Sequence, residues 1–326
     1  MNQLANQVVV ITGASTGIGR ATAIEFARRK AAVVLAARRE EVLRDLAGQC
    51  ETLGGRALIF ALDVSDPGAV AALARKANET FGRIDVWVNN AAVTAFGRLE
   101  ETPLEVHRRV IEVNLLGYIN GAHAVLPFFR EQNSGVLINL SSQVGVFGIP
   151  LVSSYVATKF GIRGFSESIR EELQGTKIRV CTVLPASIDT PIFQHAANYT
   201  GRATQPLPPV LAANKVARAI VRLACSPRRE VYVGARGLVA AFTHALAPEF
   251  FEKAVARKIP RDHLQDEPAP STPGNLFQPM DFRSIGGGWR DQLSVAPTGA
   301  VIGSAAAAAI VLGAIGAFAF MRRARR

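Results

Sequence analysis

From residue 8 to residue 233, short runs of β-branched and other apolar residues alternate with longer stretches of helical periodicity. The runs fall at 8–11, 32–36, 57–61, 84–88, 135–140, 178–184 and 230–233, and the helical stretches at 17–30, 40–53, 67–81, 103–129, 153–174 and 213–224. Several runs are apolar without period-two alternation, as expected of parallel strands covered on both faces. Repeated strand–helix–strand units predict an α/β fold: a doubly wound sheet of seven parallel strands with helices on both faces and right-handed crossovers. Such a sheet opens a ligand crevice at the carboxyl ends of its strands. Hydrophobic residues make up 49% of the 326 residues, ample for a large core, and 19% charge with near-average Gly and Pro excludes collagen-like, low-complexity and coiled-coil chains. The helix at 67–81 has a marked start, with Ser65 or Asp66 as N-cap and Pro67 in the first turn.

The first run ends in Thr12-Gly13-Ala14-Ser15-Thr16-Gly17-Ile18-Gly19 and a helix follows. A glycine-rich turn there lets backbone N–H groups approach a pyrophosphate, and the helix N-terminus adds partial positive charge. Its Gly-x3-Gly-x-Gly spacing differs from the common dinucleotide fingerprint, so a plain tight turn is the competing reading. The second run ends at Arg38-Arg39, where an acidic residue would hold a ribose 2′-hydroxyl. Two arginines there suit a 2′-phosphate instead, and a solvated cation pair at a helix start would oppose the macrodipole. Further along, Tyr155 and Lys159 lie four apart on one helix face, where an ammonium lowers a neighbouring phenol's pKa. Thirteen positions before Tyr155, Ser142 follows the run at 135–140, placing its hydroxyl at the same crevice.

With these motifs in order, joined by Asp63, Asn89-Asn90-Ala91-Ala92, Asn114 and the stretch from Pro185 to Thr190, the chain resembles the short-chain dehydrogenase/reductase family over residues 7 to about 235. The resemblance implies a Rossmann fold and a nicotinamide cofactor. It makes Tyr155 the general acid/base, Lys159 the group that lowers its pKa and binds the nicotinamide ribose, Ser142 the polariser of the substrate carbonyl, and Asn114 the holder of a water in the proton relay. It places Gly13, Ser15, Gly17, Ile18 and Gly19 on the pyrophosphate, Asp63 with Val64 beside it at the adenine, Asn90 at the end of the fourth strand near the cofactor, and Pro185, Ile188 and Thr190 around the nicotinamide amide. Two glycines of the family pattern are alanine here, in NNAA and in Pro185-Ala186.

The carboxyl-terminal fifth has another character. With the catalytic domain read as 1–256, the Pro/Gly/Ser-rich stretch 257–298 is expected to be a flexible linker. Residues 300–320 carry no charge, and at about 1.5 Å per residue a helix of that length spans roughly 31 Å, about one bilayer core. We therefore expect a C-terminal hydrophobic membrane helix at 299–321 with an Arg-rich tail at 322–326. Buried-helix and Ala-rich-tail readings compete with it, and the tail arginines would lie against the positive-inside tendency. Gly299, Gly303 and Ala307 form a small-residue row suited to pairing in lipid. Of the formal +11 charge, four positives sit in that tail and the rest is diffuse, which argues for a membrane surface and against nucleic acid. The N-terminus lacks a signal-peptide pattern, so the catalytic domain is expected in the cytoplasm. Three separated cysteines and five histidines show no metal-ligand spacing, and the sequon at Asn198 reads as accidental.

These readings lead to an NADP(H)-dependent reductase or dehydrogenase acting on a lipophilic carbonyl or alcohol. Phe147, Ile149, Ile192 and Phe193 are expected at the substrate, in a homodimer or homotetramer. Two alternatives are a membrane-tethered Rossmann-fold binding protein without activity and a nucleotide-sugar epimerase or dehydratase. The intact Asn114, Ser142, Tyr155 and Lys159 set argues against the first. The missing Gly-x2-Gly-x2-Gly turn and larger substrate domain argue against the second.

Overall fold

Strands β1 (Val8–Thr12) and β2 (Ala32–Ala37) are buried along their whole length, which is why their sequences show no alternation. Their side chains still alternate in direction. Val9, Ile11, Val33 and Leu35 join one apolar layer with Phe26, Leu43 and Ile220. Val8, Val10 and Val34 join the opposite layer with Val70, Leu73, Val125 and Phe129. In a computed structural model of the chain, which describes residues 4–234 and 236–294, β3 (Arg56–Ala61), β4 (Val86–Asn89), β5 (Gly135–Leu140), β6 (Ile178–Pro185) and β7 (Glu230–Val233) complete a seven-stranded sheet. Its order is β7-β6-β5-β4-β1-β2-β3, with every pairing parallel. The order reverses between β1 and β4, so a crevice opens at the carboxyl ends there.

The crossover helices are α1 (Gly17–Ala27), α2 (Glu40–Thr52), α3 (Pro67–Phe81), α4 (Leu104–Ile111), α5 (Gly117–Glu131), α6 (Ser153–Glu172) and α7 (Ala213–Cys225). Asp66 caps α3, its carboxylate accepting from the N–H groups of Gly68 at 2.8 Å and Ala69 at 3.1 Å, with Pro67 in the first turn. The single helix expected at 103–129 is interrupted by a π-turn at Glu112–Leu116. That turn carries Asn114, whose side chain holds a neighbouring loop.

The expectation of a flexible linker at 257–298 fails for most of that stretch. Helices α8 (Arg236–Leu246) and α9 (Pro248–His263) follow β7, and α9 leads directly into Leu264–Pro268, a strand antiparallel to Arg202–Thr204. Beyond it, residues 274–289 bond back onto the Rossmann core through main-chain groups, a source of order that composition does not reveal. By internal contacts the chain divides into Met1–Arg290 and Asp291–Arg326. Of the second unit only residues 291–294 are described, and they are helical, within α10 (Trp289–Ser294). The membrane helix expected at 299–321 and the tail at 322–326 lie outside the described residues; among those described, no helix is long and apolar enough to cross a membrane.

Candidate active site

A cavity of about 790 Å³ runs along the carboxyl ends of β1, β2, β3, β4, β5 and β6, a volume in the range of small-molecule and cofactor sites. It gathers the expected residues from the Rossmann core: Gly13, Ser15, Gly17 and Ile18 after β1, Arg38 and Arg39 after β2, Asp63 and Val64 after β3, Asn90 after β4, Ser142, Tyr155 and Lys159, and Pro185 at the end of β6 with Ile188 and Thr190 after it. Gly19 and Asn114 stand behind its wall. A Cβ on Gly19 would come within 2.2 Å of the Gly13 carbonyl oxygen, so this glycine lets α1 close onto the turn. Gly13 has φ +65°, and a Cβ there would lie 2.6 Å from the Ala91 Cα. The Asn90 side chain ties the turn down, donating to the carbonyls of Thr12 at 2.9 Å and Gly13 at 3.1 Å.

At the reaction end, Ser142 follows β5 and caps a short 3-10 turn, its hydroxyl accepting from the Val144 N–H at 3.3 Å. Ser141 points away and donates to the Lys159 carbonyl at 2.8 Å. Tyr155 and Ser142 line the same cavity, close enough for the Ser142 hydroxyl to favour the phenolate. Lys159 is 2% exposed; its ammonium donates to the Leu140 carbonyl at 2.9 Å and lies 5.2 Å from the centre of the Tyr155 ring. Tyr118 donates to the same carbonyl at 3.1 Å. Burial pushes Lys159 down to about 7 and Tyr155 up to about 12, the nearby Ser142 hydroxyl opposing the latter. The expectation that Lys159 brings the tyrosine below its ordinary value is therefore not met by the protein groups alone. Desolvation dominates, and the ammonium faces the ring and the Leu140 carbonyl. Asn114 braces a neighbouring loop through its side chain. Its Oδ1 accepts from the Val93 N–H and its Nδ2 donates to the Val93 carbonyl, both at 2.8 Å, so its amide is committed to the loop after β4.

At the other end, the Asp63 carboxylate pairs with Arg109 and accepts from the Ser65 N–H and hydroxyl at 3.0 and 2.8 Å. Burial works against ionisation there, but Ser65 and Arg109 outweigh it and hold the carboxyl below its ordinary value. The cavity wall beyond Ser142 is apolar. It includes the expected Phe147, Ile149, Ile192 and Phe193, and also Phe96, Phe251, Ile259 and His263. The rings of Phe147 and Phe251 meet edge to face at 5.2 Å, and those of Phe96 and Phe193 lie 6.1 Å apart. Phe251, Ile259 and His263 come from α9, which was missed; Pro248 in its first turn, just after Ala247, was the available start signal.

Residues 7–199 match the sequence model of a family described as short chain dehydrogenase. The chain belongs to the short-chain dehydrogenase/reductase family. It is 36% identical over 279 residues, 84% of its length and 77% of the other protein's, to the uncharacterized oxidoreductase YxnA of Bacillus subtilis. It is 36% identical over 225 residues, 68% of its length and 92% of the other's, to the 3-oxoacyl-[acyl-carrier-protein] reductase FabG of Thermotoga maritima. Among solved structures, an alcohol dehydrogenase from the archaeon Thermococcus sibiricus complexed with 5-hydroxy-NADP superposes with a TM-score of 0.62 at 30% identity, covering 70% of this chain and 95% of that one. The chain is thus a short-chain dehydrogenase/reductase-type oxidoreductase on a Rossmann sheet that binds a nicotinamide cofactor.

In this short-chain dehydrogenase/reductase, the sequon carries no modification site as folded. Asn198 is 7% exposed, and its amide bonds the Thr200 N–H and hydroxyl and the Arg202 carbonyl. His195, tied to the Asn275 amide, is pushed down to about 4 by burial, against the Asn275 hydrogen bond and with Arg39 and Arg38 adding to the effect.

Proposed function

We propose that the chain is an NADP(H)-dependent carbonyl reductase or alcohol dehydrogenase for a lipophilic substrate, with Tyr155 as its general acid/base. The observation that carries this reading is the Ser142–Tyr155–Lys159 cluster at the polar end of a cavity whose adjoining wall is aromatic and aliphatic. The residues fit the cofactor: a glycine cradle that a Cβ would fill, an α1 N-terminus and two guanidinium groups converge on one side of the cavity. When bound, the nicotinamide supplies or accepts the hydride exchanged with the substrate carbon. Tyr155 gives a proton to the carbonyl oxygen during reduction, or takes it from the alcohol during oxidation. Ser142 holds that oxygen by a hydrogen bond. Lys159, beneath the tyrosine ring, favours the phenolate whenever it is charged and binds the nicotinamide ribose. Asn90 and Asn114 hold the cradle and the loop beside it.

The test titrates the full chain with NADPH and NADH by cofactor fluorescence, then follows NADPH oxidation with a panel of carbonyl compounds graded in apolar bulk. NADPH binding preferred over NADH, with turnover that improves with apolar substituents, is expected. Cofactor binding without turnover on any carbonyl or alcohol would return the reading to a non-catalytic binding protein. The remaining proposals are a homo-oligomer with its catalytic domain in the cytoplasm and the uncharged segment 299–321 as its membrane anchor. They predict that the intact protein sediments with membranes through a carbonate wash; extraction by high salt would reduce the tail to a peripheral basic contact.

A further inference from the structure

The donors on which the cofactor reading depends are engaged in this structure, all by one segment. Arg38 donates through Nη1 to the Leu276 carbonyl at 3.2 Å and through Nη2 to the Asn275 carbonyl at 2.7 Å. Arg39 donates through Nη2 to the Phe282 carbonyl and through Nη1 to the Asp281 carboxylate at 3.3 Å. The N–H of Gly17, at the start of α1, donates to the Ser284 carbonyl at 3.1 Å. The segment is fastened at both ends. Asn275 donates its N–H to the His195 carbonyl at 2.9 Å. At the far end the Asp189 carboxylate accepts from the N–H groups of Gly287 at 2.8 Å and Trp289 at 3.1 Å. The Trp289 indole is 6% exposed and donates to the Thr190 carbonyl at 3.3 Å and to Gln194 Oε1 at 3.2 Å.

Stereochemistry makes these contacts competitive. A backbone N–H carries one hydrogen, so at Gly17 the Ser284 carbonyl and a pyrophosphate oxygen exclude one another as well-aligned partners. A guanidinium grips a phosphate through paired N–H groups of its fork, and on both arginines the two terminal nitrogens are directed at the segment. Four of the acceptors are main-chain carbonyls, weaker partners for a guanidinium than a phosphate dianion. The segment can therefore hold these donors and still be displaced.

We propose that residues 275–286 form a strap that occupies the cofactor's anion-binding donors in the unloaded enzyme, and that a 2′-phosphorylated dinucleotide binds by lifting it. The proposal rests on the reading of Arg38, Arg39 and Gly17 as cofactor donors. A closed strap lowers apparent affinity by the fraction of molecules that are open. Loosening its far fastening therefore tightens cofactor binding, the reverse of what a mere wall of the site would give.

The experiment measures NADPH and NADH dissociation constants for the full-length wild type, Trp289→Ala and Asp189→Ala, with hydrogen exchange of the wild-type peptide spanning 275–286 with and without saturating NADPH. NADPH affinity is expected to rise roughly tenfold in the variants, with a smaller gain for NADH, and exchange in the strap peptide is expected to quicken on NADPH binding. The exchange arm uses unmodified protein and decides the matter if a variant fails to fold. Unchanged or weaker NADPH binding in folded variants, or a strap peptide that NADPH leaves unchanged or protects, overturns the strap while the cofactor reading stands. A wild type that binds neither dinucleotide overturns both.

Discussion

The two ends of the cavity are built on different principles. At the reaction end, Ser142, Tyr155, Lys159 and Tyr118 sit on or directly beside β5, α5 and α6, and Lys159 and Tyr118 are almost wholly buried. Their hydrogen bonds run to the backbone of the sheet and its helices, as at the shared Leu140 carbonyl. At the nucleotide end, half-buried arginines extend from loops and are met by carbonyls from a segment more than 230 residues away in sequence. Groups whose orientation and protonation must be set before substrate arrives are carried by the rigid core, at a cost in stability. Groups that recognise a charged handle have partners that can be exchanged. The first end should therefore be intolerant of substitution and the second adjustable.

The sharpest way to break that contrast is Tyr155→Phe. It removes the transferable proton and keeps the ring that packs between the two apolar clusters. Turnover should fall by about 10²- to 10⁴-fold with NADPH still bound. Near-normal turnover, measured under saturating cofactor, would remove Tyr155 from the chemistry and leave the reaction end without an acid. Replacing Arg38 and Arg39 together by alanine probes the other end. At about 1.5–3 kcal/mol per charged hydrogen bond, NADPH affinity should drop by a few kcal/mol, while NADH affinity should hold or rise modestly because the same change removes the strap's hold at Arg38 and Arg39, and kcat with saturating NADH should be preserved. A parallel loss of both dinucleotides would show that the arginines shape the loop and do not select a phosphate.

The reaction end could be read in the sequence because its parts are local. The i, i+4 spacing of Tyr155 and Lys159 and the place of Ser142 just after an apolar run follow from helix and strand geometry alone. The sheet was legible for a similar reason: runs buried on both faces have few other homes. The π-turn was not, since it depends on the side chain of Asn114 finding the backbone of Val93, which no periodicity announces. The strap was the least legible part. Its order comes from main-chain carbonyls meeting Arg38 and Arg39, so a Pro- and Gly-rich composition that ordinarily marks a linker encodes a docked segment here. Spacing does not give the direction of the Tyr155 shift, because it shows that an ammonium is near, whereas burial of the phenol itself sets the direction.

That last point gives the smallest effect and the most direct measure of what the reaction end costs. Burial disfavours the Lys159 ammonium and pushes its pKa in the folded protein down to about 7 from an ordinary value of 10.5. Between those values the unfolded chain binds more protons than the folded one, so this group's penalty is full below about pH 7, fades as pH rises, and is gone above 10.5. Lys159→Met fills similar space without the charge, and the Leu140 carbonyl keeps the Tyr118 hydroxyl as donor, so no acceptor is orphaned. The unloaded variant should be more stable than wild type at pH 7 by roughly 1–2 kcal/mol, a Tm increase of about 2–8 °C, although its turnover is lost. The gain should shrink steadily toward pH 10. Tyr155 acts in the opposite direction but outside that window: its pKa is raised from 10 to about 12, so its contribution is full below 10 and is lost as pH rises from there to 12. Melting curves of both proteins from pH 6 to 10 isolate the lysine. Parallel pH profiles, or a variant less stable at neutral pH, would mean that Lys159 sits in the fold without strain and that the two ends of the cavity differ only in position.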